Sequence, residues 1–230
     1  MMIALSPATE QAPHHQITLA RIKVRQHVNP LANRYQEPID WPDWSCIYAD
    51  LSLPLHIDIG CAWGRFPLKM AVAHPHWNFL GIEIREPIIV DANRMRDEQK
   101  LTNLHYAFAN INVSLGGLLA SLPPLVCRRV SIQYPDPCFK TRRAKRRVVQ
   151  PELVDTLATH LLPGTEIFLQ SDLEWVAQEM VDRFIANPVF QRTSPDWLPE
   201  NPLGIPTERE VATLNRGLPV HRSILHTVIV

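Results

Sequence analysis

His56-Ile57-Asp58-Ile59-Gly60-Cys61-Ala62-Trp63-Gly64 reads as a strand, a glycine-bearing turn and the start of a helix. Leu55 to Ile59 is a short apolar run of the kind buried inside a parallel sheet, where both faces are covered. Gly60 permits a tight turn at its end, and Gly64 lets the backbone approach closely where the next helix begins.

Working outward, the pattern repeats. Arg65 to Ala73 is predicted helical, Asn78 to Ile84 a strand, Glu86 to Lys100 a helix and Asn103 to Ala109 a strand, with a short helix near Val113 to Ser121. Arg129 to Tyr134 is a strand. Pro151 to Leu162 is a helix whose Leu153, Leu157 and Leu161 share one face. Pro151 suits its first turn and Pro163-Gly164 ends it. Glu166 to Gln170 is a strand. Ser171 or Asp172 is placed to cap a helix burying Val176, Ala177, Met180, Val181, Phe184 and Ile185. Val189 to Arg192 and Leu218 to Val230 supply further strands, and Asp196 to Pro206 is a loop. Regular β-α alternation implies a Rossmann-like α/β fold, a mostly parallel sheet with helices on both faces.

Ligands of such sheets bind outside the carboxyl ends of the strands. A dinucleotide fingerprint sets its glycines at relative positions 1, 3 and 6. Here they stand at 1 and 5, with Ala62 at 3. That spacing disfavours a nicotinamide oxidoreductase and fits the looser turn of S-adenosylmethionine-binding sheets. Asp58, inside the strand, is placed to accept from the cofactor's ammonium group. Glu83, ending the second strand, is placed to accept from both ribose hydroxyls. Asn110 follows the third strand, where it either contacts the adenine amine or caps the following helix.

A second landmark is Tyr134-Pro135-Asp136-Pro137-Cys138-Phe139-Lys140-Thr141-Arg142-Arg143-Ala144-Lys145-Arg146-Arg147. A strand ends in a Pro-Asp-Pro corner, and six cations follow within eight residues. A carboxylate at a strand end beside a cation cluster suits an enzyme that brings a polyanion such as RNA to an acidic corner.

Net charge is zero over 230 residues, so nucleic-acid binding must come from local patches. Those are Lys140 to Arg147 and, in the N-terminal part, Arg21 to Arg34. The four cysteines are scattered, with no Cys-x-x-Cys pair, which fits neither a zinc site nor a disulfide framework. His74-Pro75-His76 reads as a loop rather than a metal pair, and no metal is expected. Neither a signal peptide nor a membrane span is evident, so a cytoplasmic location is expected. Residues 1–17 lack periodicity and are expected to be disordered. Residues 18–54 form a basic arm packing on the core, and 55–230 the main domain. Trp41 and Trp44 are read as packing residues.

On these residues the chain resembles the tRNA (guanine-N7)-methyltransferase family of the bacterial single-chain type. The matching stretches are Asp58-Ile59-Gly60 to Gly64-Arg65-Phe66, Phe79-Leu80-Gly81-Ile82-Glu83, Pro135-Asp136-Pro137 with Lys140 and Lys145-Arg146-Arg147, Ser171-Asp172, and Thr207-Glu208-Arg209-Glu210 with Gly217-Leu218-Pro219-Val220. The resemblance implies methyl transfer from S-adenosylmethionine to N7 of a guanine in the variable loop of tRNA, by a monomer or homodimer. It places Asp58, Gly60, Gly64, Glu83, Asn110 and Asp136 around the cofactor. It places Lys140, Asp172, Thr207, Glu208, Arg209 and Glu210 on the substrate, with Arg142, Arg143, Lys145, Arg146 and Arg147 gripping the tRNA backbone. Asp136 and Asp172 are the expected catalytic carboxylates, with Asp172 or Glu210 reading the guanine edge. Three positions depart from the family pattern: Ala62 for the loop's middle glycine, Cys138 for a tryptophan and Arg143 for a frequent histidine. The Ala62 methyl raises one alternative, an RNA-binding protein that has lost cofactor affinity and activity.

Overall fold

The computed structural model describes residues 28–124 and 126–230. The expected disordered start and the basic residues Arg21, Lys23, Arg25 and His27 lie outside the described residues. Seven strands form one sheet in the order β3-β2-β1-β4-β5-β7-β6. These are β1 (Leu55–Ile59), β2 (Asn78–Glu83), β3 (Leu104–Phe108), β4 (Cys127–Gln133), β5 (Glu166–Ser171), β6 (Phe190–Arg192) and β7 (His221–Thr227). β1 to β5 run parallel, whereas β7 is antiparallel to both β5 and β6. Strand order reverses between β1 and β4, and the crevice at that switch point lies beside the Gly60 turn.

The helices are α1 (Arg65–Ala73), α2 (Glu86–Glu98), α3 (Ile111–Ser121), α4 (Pro151–His160), α5 (Glu174–Ile185) and α6 (Glu208–Leu214). β1 is buried along its whole length, and its Ile57 sits with Leu80, Val130 and Ile167 in the larger of two apolar clusters, one on each side of the sheet. None of the helices is long and apolar enough to cross a membrane, among the described residues.

Several local expectations are corrected. α5 is not capped by Ser171 or Asp172: its N-cap is Leu173, without a side-chain bond, because Ser171 Oγ accepts from the Leu173 N–H and the Asp172 carboxylate is turned to Arg209. Ile185, the last residue of α5, is half exposed rather than buried. The run after Pro206 holds a short helix, α6, whose N-cap Thr207 accepts from the Glu210 N–H at 3.1 Å. The final strand is shorter than expected, His221–Thr227.

Residues 28–54 pack on the core through Trp41, Trp44 and Tyr48. Trp44 is buried, stacks between Trp41 and Tyr48, and donates to Ser121 Oγ; Trp41 donates to the Ser114 carbonyl. Tyr35 meets Phe108 edge-to-face, and the Arg34 guanidinium lies over the Tyr35 ring.

Candidate functional site

The turn after β1 is built on left-handed backbone at three positions: Gly60 (φ 80), Ala62 (φ 49) and Gly64 (φ 70). At Gly64 crowding adds to conformation, since a Cβ there would meet Tyr106 Cε1 at 2.6 Å. The Tyr106 hydroxyl donates to the Gly64 carbonyl at 2.5 Å and so pins the turn to β3. Ala62 takes the left-handed conformation at a cost of roughly 1–2 kcal/mol. Its N–H still donates to Glu83 Oε2 at 3.1 Å.

Asp58 is 5 % exposed near the C-terminal end of β1. It accepts from Ser131 Oγ at 2.6 Å and Gln133 Nε2 at 3.1 Å, both on β4. It has no cationic partner among the described residues, and burial pushes its carboxyl up to about 6 against the two hydrogen bonds. Ser131 spends its proton on Asp58, so its oxygen accepts from His56 Nε2 at 2.8 Å. Burial holds His56 well below the usual imidazole range, and hence neutral.

Glu83, at the end of β2, is also buried but compensated. It accepts from the backbone N–H groups of Ala62, Ile84 and Arg85, and the Arg85 guanidinium meets both its oxygens at 3.0 and 2.9 Å. Asp136 lies close enough to Arg85 to reinforce its positive charge. Cys61 sits among Asp58, Glu83 and Arg85, where burial pushes its thiol well up and the two carboxylates add to that.

Asn110 caps α3, with Oδ1 accepting from the Asn112 N–H. Its amide donates to the carbonyls of Pro30 and Tyr35 at 3.1 and 3.0 Å, tying the arm to the end of β3. Of the two readings of Asn110, the capping geometry is the one present.

The Pro-Asp-Pro corner is strained on both sides. Tyr134 (φ 50) and Cys138 (φ 43) are left-handed, and Asp136 Oδ1 accepts from the Cys138 N–H at 2.9 Å. With Ala62, three of the four non-glycine residues of positive φ among those described lie in these two loops. Such strain persists where surrounding structure over-determines it, and it clusters at functional sites. Thr141–Arg146 form a 3₁₀-helix rather than an α-helix. Lys140, Arg142, Arg143, Lys145 and Arg146 make no ion pair with the described residues. Arg147 differs: it is bonded to Glu179 and to the Pro137 carbonyl, and lies over the Trp175 ring. It braces the corner against α5.

The Thr207 to Glu210 stretch divides by burial. Glu208 makes an exposed pair with Arg65, and Arg209 donates to Asp172 Oδ2 at 2.5 and 2.9 Å. Glu210 is 1 % exposed and pairs with buried Arg222 at 2.7 Å. It also accepts from Asn201 at 2.7 Å and Gln170 at 3.3 Å. Gln170 donates in turn to Gln133 at 2.7 Å. One hydrogen-bonded row thus runs from His56 through Ser131, Asp58, Gln133 and Gln170 to Glu210 and Arg222, crossing β1, β4 and β5 to β7.

Arg85, Ser131, Gln133, Gln170 and Arg222 were not evident as site residues in the sequence. A signal was present for two: Ser131 and Gln133 are polar at alternate positions of a strand whose intervening Val130 and Ile132 are apolar. In a doubly covered strand that marks a face turned to something polar. Among the described residues there is no group of three or more His, Cys, Asp or Glu side chains that could hold a metal ion.

With this geometry in view, residues 52–223 match a family model described as "Putative methyltransferase". A "tRNA (guanine-N(7)-)-methyltransferase" of Synechococcus elongatus is 59% identical over 206 residues, covering 90% of this chain and 97% of that protein. The protein of that name from Synechocystis sp. is 56% identical over 209 residues, covering 90% and 98%. Among solved structures, the 16S rRNA methyltransferase KamB aligns with a TM-score of 0.53 at 15% identity, covering 80% of this chain and 90% of that one. The antibiotic-resistance methyltransferase Kmr aligns with the same score and identity, covering 84% and 95%. These two likenesses bear on the fold.

Proposed function

The chain belongs to the tRNA (guanine-N7)-methyltransferase family, and from that premise we propose that it transfers a methyl group from S-adenosylmethionine to N7 of a guanine in the variable loop of tRNA, in the cytoplasm. The observation that carries the reading is Asp58, a buried carboxylate without a cationic partner at the switch point of the sheet. It suits a ligand that brings its own positive charge, and the cofactor's ammonium group supplies one.

S-adenosylmethionine supplies an electrophilic methyl on a sulfonium. Guanine N7 offers an in-plane lone pair and no proton, so the protein needs no general base. It must hold nucleophile and methyl about 3 Å apart and in line, which is worth roughly 7–11 kcal/mol in favourable cases. Asp58 holds the ammonium end. Glu83, now held by Arg85, would accept from the ribose hydroxyls. Asp136, at the strained corner after β4, would help to orient the cofactor or the target base.

Asp172 reads the guanine edge, accepting from N1–H and the N2 amine. Its partner Arg209 is more than half exposed and free to swing aside, whereas Glu210 is locked to Arg222 inside the fold. Of the two candidates for this role, burial therefore favours Asp172. N7 alkylation builds positive charge on the base, which Asp136 and Asp172 stabilise. The unpaired cations from Lys140 to Arg146 hold the tRNA backbone. Ala62 keeps the turn's shape and its bond to Glu83, so the inactive alternative has no support in the loop geometry.

The test is methyl transfer to unmodified tRNA transcripts, with the product nucleoside identified by mass spectrometry and its position mapped by cleavage at 7-methylguanine. Variable-loop 7-methylguanine, lost in Asp136→Ala, is the expected result. No transfer despite tRNA binding refutes the reading.

A further inference from the structure

Beside the Pro-Asp-Pro corner stands a feature that methyl transfer itself does not require. Phe139 is 73% exposed and Trp175, in the first turn of α5, is 41% exposed. Their ring centroids are 6.2 Å apart. Trp175 is not loose: the Arg147 guanidinium lies 4.8 Å from its ring centre, and Arg147 is itself held by Glu179 and the Pro137 carbonyl. Arg147 and Asp136 line one small hollow together with Val176, Glu179 and Met180, so the aromatic pair adjoins the catalytic corner.

Two large rings left in water on a rigid base are costly unless something covers them. The five cations from Lys140 to Arg146 begin at the residue after Phe139 and make no ion pair among the described residues. Exposed aromatic faces flanked by unpaired cations are the pattern by which proteins hold unpaired nucleotides, rings stacking on bases and cations tracking the backbone.

We propose that Phe139 and Trp175 form a stacking ledge for an unpaired base of the tRNA, a neighbour of the target guanine, and that Arg147 serves it by fixing Trp175 rather than by gripping phosphate. This rests on the proposed tRNA substrate. A flanking base is captured on Phe139 while the target guanine enters the acidic corner. The ledge also supplies, from position 139 and from α5, the aromatic surface that Cys138 lacks.

The experiment uses full-length protein and a tRNA transcript carrying 2-aminopurine in turn at each position flanking the target guanine. Stacking quenches that fluorophore, and one position is expected to be quenched on binding wild type. Phe139→Leu keeps an apolar side chain but loses the ring. It is expected to abolish the quench and weaken tRNA affinity about 5- to 150-fold, the range for one base–aromatic stack, with S-adenosylmethionine affinity unchanged. Phe139→Trp is expected to restore both. Phe139 is exposed, so the variants fold, and thermal unfolding verifies it. If wild type methylates tRNA while no position is quenched, or Phe139→Leu alters neither signal nor affinity, the ledge is refuted and the proposed activity stands. If wild type neither binds nor methylates tRNA, the proposed function fails first.

Discussion

Replacing Asp58 by Asn is expected to make the protein more stable and unable to hold its cofactor. The carboxyl is raised from 3.8 to about 6 by burial. Between those values the unfolded chain has released a proton that the folded chain keeps, so stability from this group falls as pH rises. The loss is complete above pH 6 and totals about 3 kcal/mol, at 1.36 kcal/mol per unit. Asn keeps the oxygen that accepts from Ser131 and Gln133 and carries no charge to bury. The advantage of Asp58→Asn over wild type should therefore grow by about 1.4 kcal/mol between pH 5 and pH 8. In a chain of this size that is roughly 3–6 °C in Tm. Thermal unfolding of both proteins without ligand, at the two pH values, measures it.

The cofactor arm has the opposite sign. An ammonium group binds the ionised carboxylate, so wild-type affinity for S-adenosylmethionine, read by calorimetry, should be flat between about pH 6 and 7 and fall up to about tenfold per unit below it, and fall again at higher pH as the ligand's amine loses its proton. Asp58→Asn should bind weakly and without that slope. A stability difference that does not change with pH would refute the claim that ionised Asp58 is uncompensated. Unchanged cofactor affinity in the variant would refute its role.

The remaining predictions use other parts of the site. Gly64→Ala should cost about 1–3 kcal/mol from overpacking against Tyr106 and roughly 1–2 more from the left-handed backbone, seen in urea unfolding. Glu210→Ala strands buried Arg222 and should cost about 3–5 kcal/mol, whereas Asp172→Ala opens a pair whose Arg is exposed and should cost under about 1 kcal/mol. Full turnover in Asp172→Ala would exclude it from reading the base. Neutralising Arg142, Arg143 and Lys145 together should flatten the log–log salt dependence of tRNA binding by about 2 to 3, without moving the methylated position.

The sequence carried the fold well because the fold depends on features that are local. Gly60 and Gly64 mark a turn that needs left-handed backbone, and the β1 to β5 runs are apolar enough to be read as strands buried on both faces. α6 escaped because it is short, and only its capping Thr207 announces it. The α5 cap was misplaced for a different reason: Asp172 has the chemistry of a cap, but a cation distant in sequence, Arg209, claims it. The exposed aromatic pair was half visible. Phe139 stands in the motif, but that Trp175 lies beside it depends on how α5 packs against the corner.

The carboxylates show where sequence reasoning stops. Asp58, Glu83, Asp136, Asp172 and Glu210 all fall at or near strand or helix ends, and each is a plausible ligand by position. Their roles separate only when the compensating charge is known. Glu210 is matched by a buried Arg222 and serves as a brace. Glu83 is matched by Arg85, two residues away. Asp172 is matched by an exposed Arg209 that can leave. Asp58 is matched by no cation among the described residues, only by Ser131 and Gln133. Yet Asp58 and Glu210 terminate the same Gln133–Gln170 bridge, so ordering one end limits the freedom of the other. The two amides that look most dispensable in the strands thus join the buried carboxylate of β1 to the helix that carries Arg209.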